Sequence, residues 1–138
     1  MTRKILRAGI ALAALCVVAS TGATQAAIAS PLAVPSTSPT VSNGYVDPDR
    51  VIGCASGHVC IAVPYGAGRW VFDFYNYGSY STYNWNGTGT VMNAQTGNAA
   101  FRYDDARGHQ LGCIPADGRN HSVSVGPVYR VRVTATPC

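Results

Sequence analysis

The sequence predicts an all-β domain tied by disulfides, and three observations carry that expectation. Beyond the N-terminal segment no stretch shows the apolar period of a helix, whereas several short runs alternate apolar and polar residues as half-buried strands do. Turn signals rich in Gly, Asn, Asp and Pro separate these runs every eight to twelve residues or so. Four of the five cysteines lie beyond the N-terminal segment, an even number suited to pairing.

Arg3, Lys4 and Arg7 precede an apolar run from Ala8 to Ala19, too short to cross a bilayer as a helix. Small residues follow, and Ala27-Ile28-Ala29 offers a cleavage site before Ser30, with cleavage after Ala26 as the alternative. Residues 1–29 therefore read as an export signal, and the expected location is secreted and extracellular, without stable membrane insertion. The chain has 10 Lys+Arg against 6 Asp+Glu, and three of those cations belong to the signal. Seven arginines then face six aspartates, so no polybasic stripe is expected and nucleic acid is excluded as a partner. Residues 30–49 interleave Pro31, Pro35, Pro39 and Pro48 with small polar residues and show no amphipathic period, which reads as an extended or disordered spacer. The domain is expected at residues 50–138, long enough for one small core and short enough for covalent ties to matter.

The first element of that domain is a knuckle. Cys54 and Cys60 bracket the turn residues Ser56-Gly57, and Val59, Ile61 and Val63 then alternate with Cys60 and Ala62 as a half-buried strand. Tyr65-Gly66-Ala67-Gly68 is a hairpin turn; it lacks the lysine and following helix of a phosphate-binding loop. From Arg69 to Phe74, Trp70, Phe72 and Phe74 share one face of a second strand. Tyr75 to Trp85 alternates aromatic with small polar residues and is expected as a loop. Its rings either pack over one end of the core or form a binding surface. Further strands are expected at 90–94, 99–103, 108–114, 121–125 and 128–133, with turns at Gln95-Thr96-Gly97-Asn98 and Pro115-Ala116-Asp117-Gly118. In the last strand Tyr129, Val131 and Val133 point one way and Arg130 and Arg132 the other. Four cysteines allow three pairings. The expected bridges are Cys54–Cys60, which is local and pins the turn, and Cys113–Cys138, which ties the last residue to the body; a Cys60–Cys113 link would instead join the two halves of the domain.

Residues 59–93 and 99–133 repeat a similar order of strands, turns and loops, which predicts a small two-motif Greek-key sandwich. Tyr103-Asp104-Asp105-Ala106-Arg107-Gly108 resembles the aromatic-acid-glycine corner of βγ-crystallin motifs. Together with Cys54-Ala55-Ser56-Gly57-His58-Val59-Cys60-Ile61, the stretch Val91-Met92-Asn93-Ala94-Gln95-Thr96-Gly97-Asn98 and Gly126-Pro127-Val128, the chain resembles small secreted actinobacterial proteins grouped with metalloproteinase inhibitors of βγ-crystallin-like fold. The likeness runs over about residues 52 to 134. It implies a β-sandwich that inhibits an extracellular protease. The Asn84–Thr88 and Asn120–Ser124 stretches lack the full oxygen set of the calcium-binding crystallins, so no calcium is expected.

Other function classes find little footing. His58, His109 and His121 are the only neutral-pH bases, and none stands in a catalytic motif, so no enzyme is expected. Cys54, His58 and Cys60 lack a recognised zinc spacing, so neither metal nor cofactor is expected. Two binding surfaces remain, and the resemblance puts the inhibitory one first, with the binding module as the alternative. As an inhibitor, the chain would use Tyr65, Gly66 and Arg69 in a rigid loop, one ring and one cation on a spare backbone. As a binding module for cell-wall polysaccharide or another surface ligand, it would use Trp70, Tyr77, Tyr80, Tyr83 and Trp85. The expected state is a monomer.

Overall fold

The computed structural model describes residues 32–138, so the expected export signal lies outside the described residues. Ten strands run in order: β1 (Ser36–Ser38), β2 (Ser42–Val46), β3 (Val59–Tyr65), β4 (Gly68–Phe74), β5 (Gly78–Tyr83), β6 (Thr88–Asn93), β7 (Ala100–Asp104), β8 (Gln110–Pro115), β9 (Asn120–Ser124) and β10 (Arg130–Thr134). They form two five-stranded sheets, ordered β1-β5-β10-β7-β8 and β2-β4-β3-β6-β9, with every pairing antiparallel. No helix occurs among the described residues.

The two halves read from the sequence correspond to β3–β6 and β7–β10. In each half the fourth strand lies beside the first, and the third joins the opposite sheet: β5 pairs with β10, and β9 pairs with β6. The halves are thereby laced together through both sheets. The core between the sheets is built from alternate residues of each strand. Val59, Ile61, Val63, Phe72, Phe74, Val91 and Val123 come from one sheet; Tyr80, Phe101, Ile114, Val131 and Val133 come from the other. Phe74 meets Tyr80 edge-on at 5.0 Å and lies 6.1 Å from Phe101, so aromatic rings supply much of the contact between layers.

The spacer expectation needs correction. The stretch expected to be unstructured supplies β1 and β2, edge strands that pair with β5 and β4 respectively. The physical reason is that edge strands tolerate proline and need few apolar residues. Pro35 and Pro39 flank β1 without interrupting its ladder. The folded unit accordingly begins well before Arg50.

Two further elements differ from expectation. The aromatic stretch is a strand, not a loop: Tyr80 and Thr82 of β5 point inward and are buried, while Ser79, Ser81 and Tyr83 point out. β3 is buried along both faces from Val59 to Val63. Cys60 and Ala62, on its outer side, are covered by the disulfide and by residues 48–54, which roof a cavity of about 320 Å³. The hairpin at 65–68 is as expected. It closes through Gly66 and Ala67, with φ of +58° at Gly66, which glycine adopts without steric cost. The bridges Cys54–Cys60 and Cys113–Cys138 are the expected ones, with Cα separations of 5.6 and 5.7 Å.

Buried Asn93 explains the Asn-x-Gln-Thr-Gly stretch in structural terms. Its side-chain amide donates to the Ile114 carbonyl, its side-chain oxygen accepts from Gln95 N–H, and its carbonyl accepts from Gly118 N–H. This one residue fastens the end of β6 to β8 and to the turn after it.

Candidate functional site

The two surfaces expected from the sequence fare differently. In the 64–69 hairpin, Tyr65 does not project. Its hydroxyl donates to the Leu32 carbonyl, and its ring packs edge-on against Trp70 at 5.6 Å and Tyr45 at 6.4 Å. Arg69 is turned back too, its Nη2 donating to the carbonyls of Pro48 and Arg50. Pro64, Gly66 and Ala67 are the exposed residues of the hairpin.

The aromatic set Trp70, Tyr77, Tyr80, Tyr83 and Trp85 does not form one face. Tyr80 and Trp85 belong to the core, Trp85 lying 5.0 Å from Phe72. Trp70 belongs to the Tyr45–Tyr65 cluster and donates its indole N–H to Asn43. Tyr77 and Tyr83 are exposed but stand at opposite ends of β5. The structural role proposed for these rings thus holds for Tyr80 and Trp85, and a binding role remains open to Tyr83.

Tyr83 stands at a cleft that sequence reasoning did not assemble. The β5–β6 connection, Asn84 to Gly87, faces the β9–β10 connection, Val125 to Tyr129, across a hollow of about 440 Å³. Asn84 turns the chain with φ of +60°, a conformation asparagine tolerates better than most residues, and its amide donates to the Val34 carbonyl. Trp85 then drives into the core and anchors the loop. The opposite wall is fixed by four hydrogen bonds. Val125 N–H donates to Gly87 O, Thr82 N–H to Tyr129 O, Thr82 Oγ1 to Val128 O and Tyr129 N–H to Asp104 O. On this scaffold Tyr83 and Tyr129 stay 52% and 57% exposed, beside Ser81, Asn84 and Asn86. Two exposed tyrosines, with side-chain amides and a hydroxyl lining the same hollow, suit a hydroxyl-rich ligand.

Tyr129 departs from the sequence expectation that it shares the inward face of Val131 and Val133. It precedes β10, after Gly126-Pro127, and the chain has not yet entered the alternation there. The Gly-Pro pair was the signal that this residue sits on a turn.

The knuckle at 54–60 brings a second group together. His58 Nδ1 lies 2.6 Å from Asp73 Oδ1, and the imidazole packs 4.9 Å from Tyr75. Ser42 lines the same hollow, opposite Asp73 in the β2–β4 ladder, but no hydrogen bond joins it to His58 among the described residues. A base oriented by a carboxylate is present without a nucleophile engaged by it. The disulfide consumes both thiols of the Cys54–His58–Cys60 set, which therefore offers no pair of thiolate ligands.

His109 and His121 each face an aspartate in a turn. Asp105 accepts the backbone N–H of His109, which does most to hold its carboxyl below the usual range; burial opposes this, and Arg107 N–H adds to it. Asp117 is lowered in the same way by Arg119 N–H and by His121. These aspartates act as turn clamps.

Compared with known proteins, the chain matches no family model, no curated protein and no solved structure.

Proposed function

We propose that this protein is an exported, non-catalytic binding module that holds a polysaccharide chain in the cleft between the β5–β6 and β9–β10 connections. The observation that carries the reading is the pair of exposed tyrosines, Tyr83 at the end of β5 and Tyr129 on the β9–β10 connection, flanked by Ser81, Asn84 and Asn86. A backbone held by the hydrogen bonds of the cleft wall reduces the ordering cost of binding, and side-chain amides and hydroxyls suit sugar hydroxyls. Two disulfides, and the absence of any membrane-spanning helix among the described residues, are compatible with export. The protease-inhibitor role implied by the family resemblance is the less favoured reading. A protease cleft approaching the 64–69 hairpin would meet Pro64, Gly66 and Ala67, because Tyr65 and Arg69 are engaged within the molecule.

Co-sedimentation of the exported protein with insoluble polysaccharides tests the proposal. Tyr83→Ala and Tyr129→Ala should each lower retention by at least about fivefold, equivalent to roughly 1 kcal/mol per ring, with little change in melting temperature. Retention that survives both substitutions would remove the cleft from consideration.

A further inference from the structure

The outer face of the β1-β5-β10-β7-β8 sheet carries a cluster that overall charge conceals. Arg130 and Arg132 on β10 and Arg102 on β7 share this face with one carboxylate, Asp104, which is fully buried. Arg132 grips Asp104 with Nε at 2.9 Å and Nη2 at 2.7 Å, while Arg130 commits only Nε at 2.9 Å. Arg102 makes no contact with Asp104; it donates to Gln110 and to the Pro137 carbonyl. Arg102 also stands directly opposite Arg132 in the ladder, a like-charge pairing that weakens a sheet. Two guanidiniums therefore grip a single buried anion, and a third, that of Arg102, belongs to the same face. Those of Arg130 and Arg132 are held in place by Asp104, with side chains 44% and 33% exposed. Pre-oriented guanidiniums are suited to carboxylate and phosphate oxygens.

The neighbouring strand extends the face with hydroxyls. Ser81 lies opposite Arg130 and Ser79 opposite Arg132, and Ser38 lies beyond Ser81. Ser81 also lines the tyrosine cleft, and Tyr129 directly precedes Arg130, so cleft and cluster are continuous.

We propose that this arginine–serine face binds the anionic groups of an acidic polysaccharide whose sugar rings occupy the Tyr83–Tyr129 cleft. The inference rests on the polysaccharide reading above and adds the charge of the ligand. The cations are few, confined to two adjacent strands, with Arg130 and Arg132 about 7 Å apart along β10. That arrangement suits anions spaced one per sugar better than the dense charge of a nucleic acid, one per about 1.7 Å of duplex.

The test is affinity electrophoresis of the exported protein in gels containing polygalacturonate, phosphorylated mannan or unmodified mannan, with oligothymidine as competitor. The two acidic polymers distinguish carboxylate from phosphate as the preferred group. At least one should retard the protein about tenfold more strongly than neutral mannan, and added salt should weaken that retardation. Arg102→Gln leaves the Asp104 pairs intact. It should lower affinity for the acidic polymer about three- to tenfold while leaving the melting temperature and any neutral-polymer binding unchanged. Equal retardation by acidic and neutral polymers would overturn this inference and leave the polysaccharide reading standing. Binding to no polymer would remove both. Oligothymidine competing as well as polygalacturonate, or an unchanged affinity in Arg102→Gln, would also overturn it.

Discussion

Asp104 is the residue on which local chemistry and stability meet. Burial pushes its carboxyl pKa up, but hydrogen bonds from Arg132 and Arg130, and their charges, outweigh burial and hold it below the ordinary aspartate value of 3.8. A depressed pKa contributes stability that is present above the unfolded-state value and lost as pH falls through the folded-state value. Acid unfolding should therefore show a steep loss of stability below about pH 4, as the unfolded chain binds its proton first. Asp104→Asn should unfold with roughly 3 kcal/mol less stability at neutral pH, at the low end for a broken buried pair because both arginines keep solvent access. Its urea midpoint should also depend less on pH in the acid range. An unchanged midpoint at neutral pH would show that the arginines do not need their carboxylate. The alternation that set Arg130 and Arg132 against Val131 and Val133 was readable in the sequence. The meeting of these arginines with Asp104 was not, because it depends on the β7–β10 pairing between residues 26 and 28 positions apart.

At the scale of the element, legibility followed apolar alternation. β3 and β4 were readable because Val59, Ile61 and Val63, then Trp70, Phe72 and Phe74, mark one face in each. β5 escaped because its inward residues are Tyr80 and Thr82 and its outward ones are largely serine, so polarity does not alternate along it. β1 and β2 escaped because edge strands bury so little: Thr37 alone is buried in β1, and β2 has no buried residue. A chain starting at Arg50 would lose both and leave β4 and β5 with open edges, which invite association with other chains. Such a truncation should melt lower than the chain starting at Ser30 and should aggregate more readily in light scattering. Identical melting curves would mean that residues 30–49 act as the spacer their composition suggests.

Across the whole molecule, the two halves exchange their third strands and each carries one disulfide, so the layers cannot separate independently. The Cys113–Cys138 bridge closes the longer loop, with a separation of 25 against 6. Chain entropy gives it about 3.5 kcal/mol against about 2 kcal/mol for Cys54–Cys60. Replacing Cys113 and Cys138 by serine should therefore lower unfolding free energy more than replacing Cys54 and Cys60, unless packing around buried Cys60 reverses the order; denaturant titration of the two double variants decides it. The Tyr83–Tyr129 cleft exists only at this scale. Its walls come from β5–β6 and β9–β10, far apart in the chain, which is why sequence reading reached Tyr83 but missed Tyr129 as its partner. The most direct measurement is an amide-resolved NMR titration of the protein with an acidic oligosaccharide. Chemical-shift changes should concentrate at residues 79–86, 102 and 126–132, with the 64–69 hairpin unmoved. No shifts with any oligosaccharide, together with shifts at Tyr65–Arg69 on adding a protease that the protein inhibits, would overturn the polysaccharide reading.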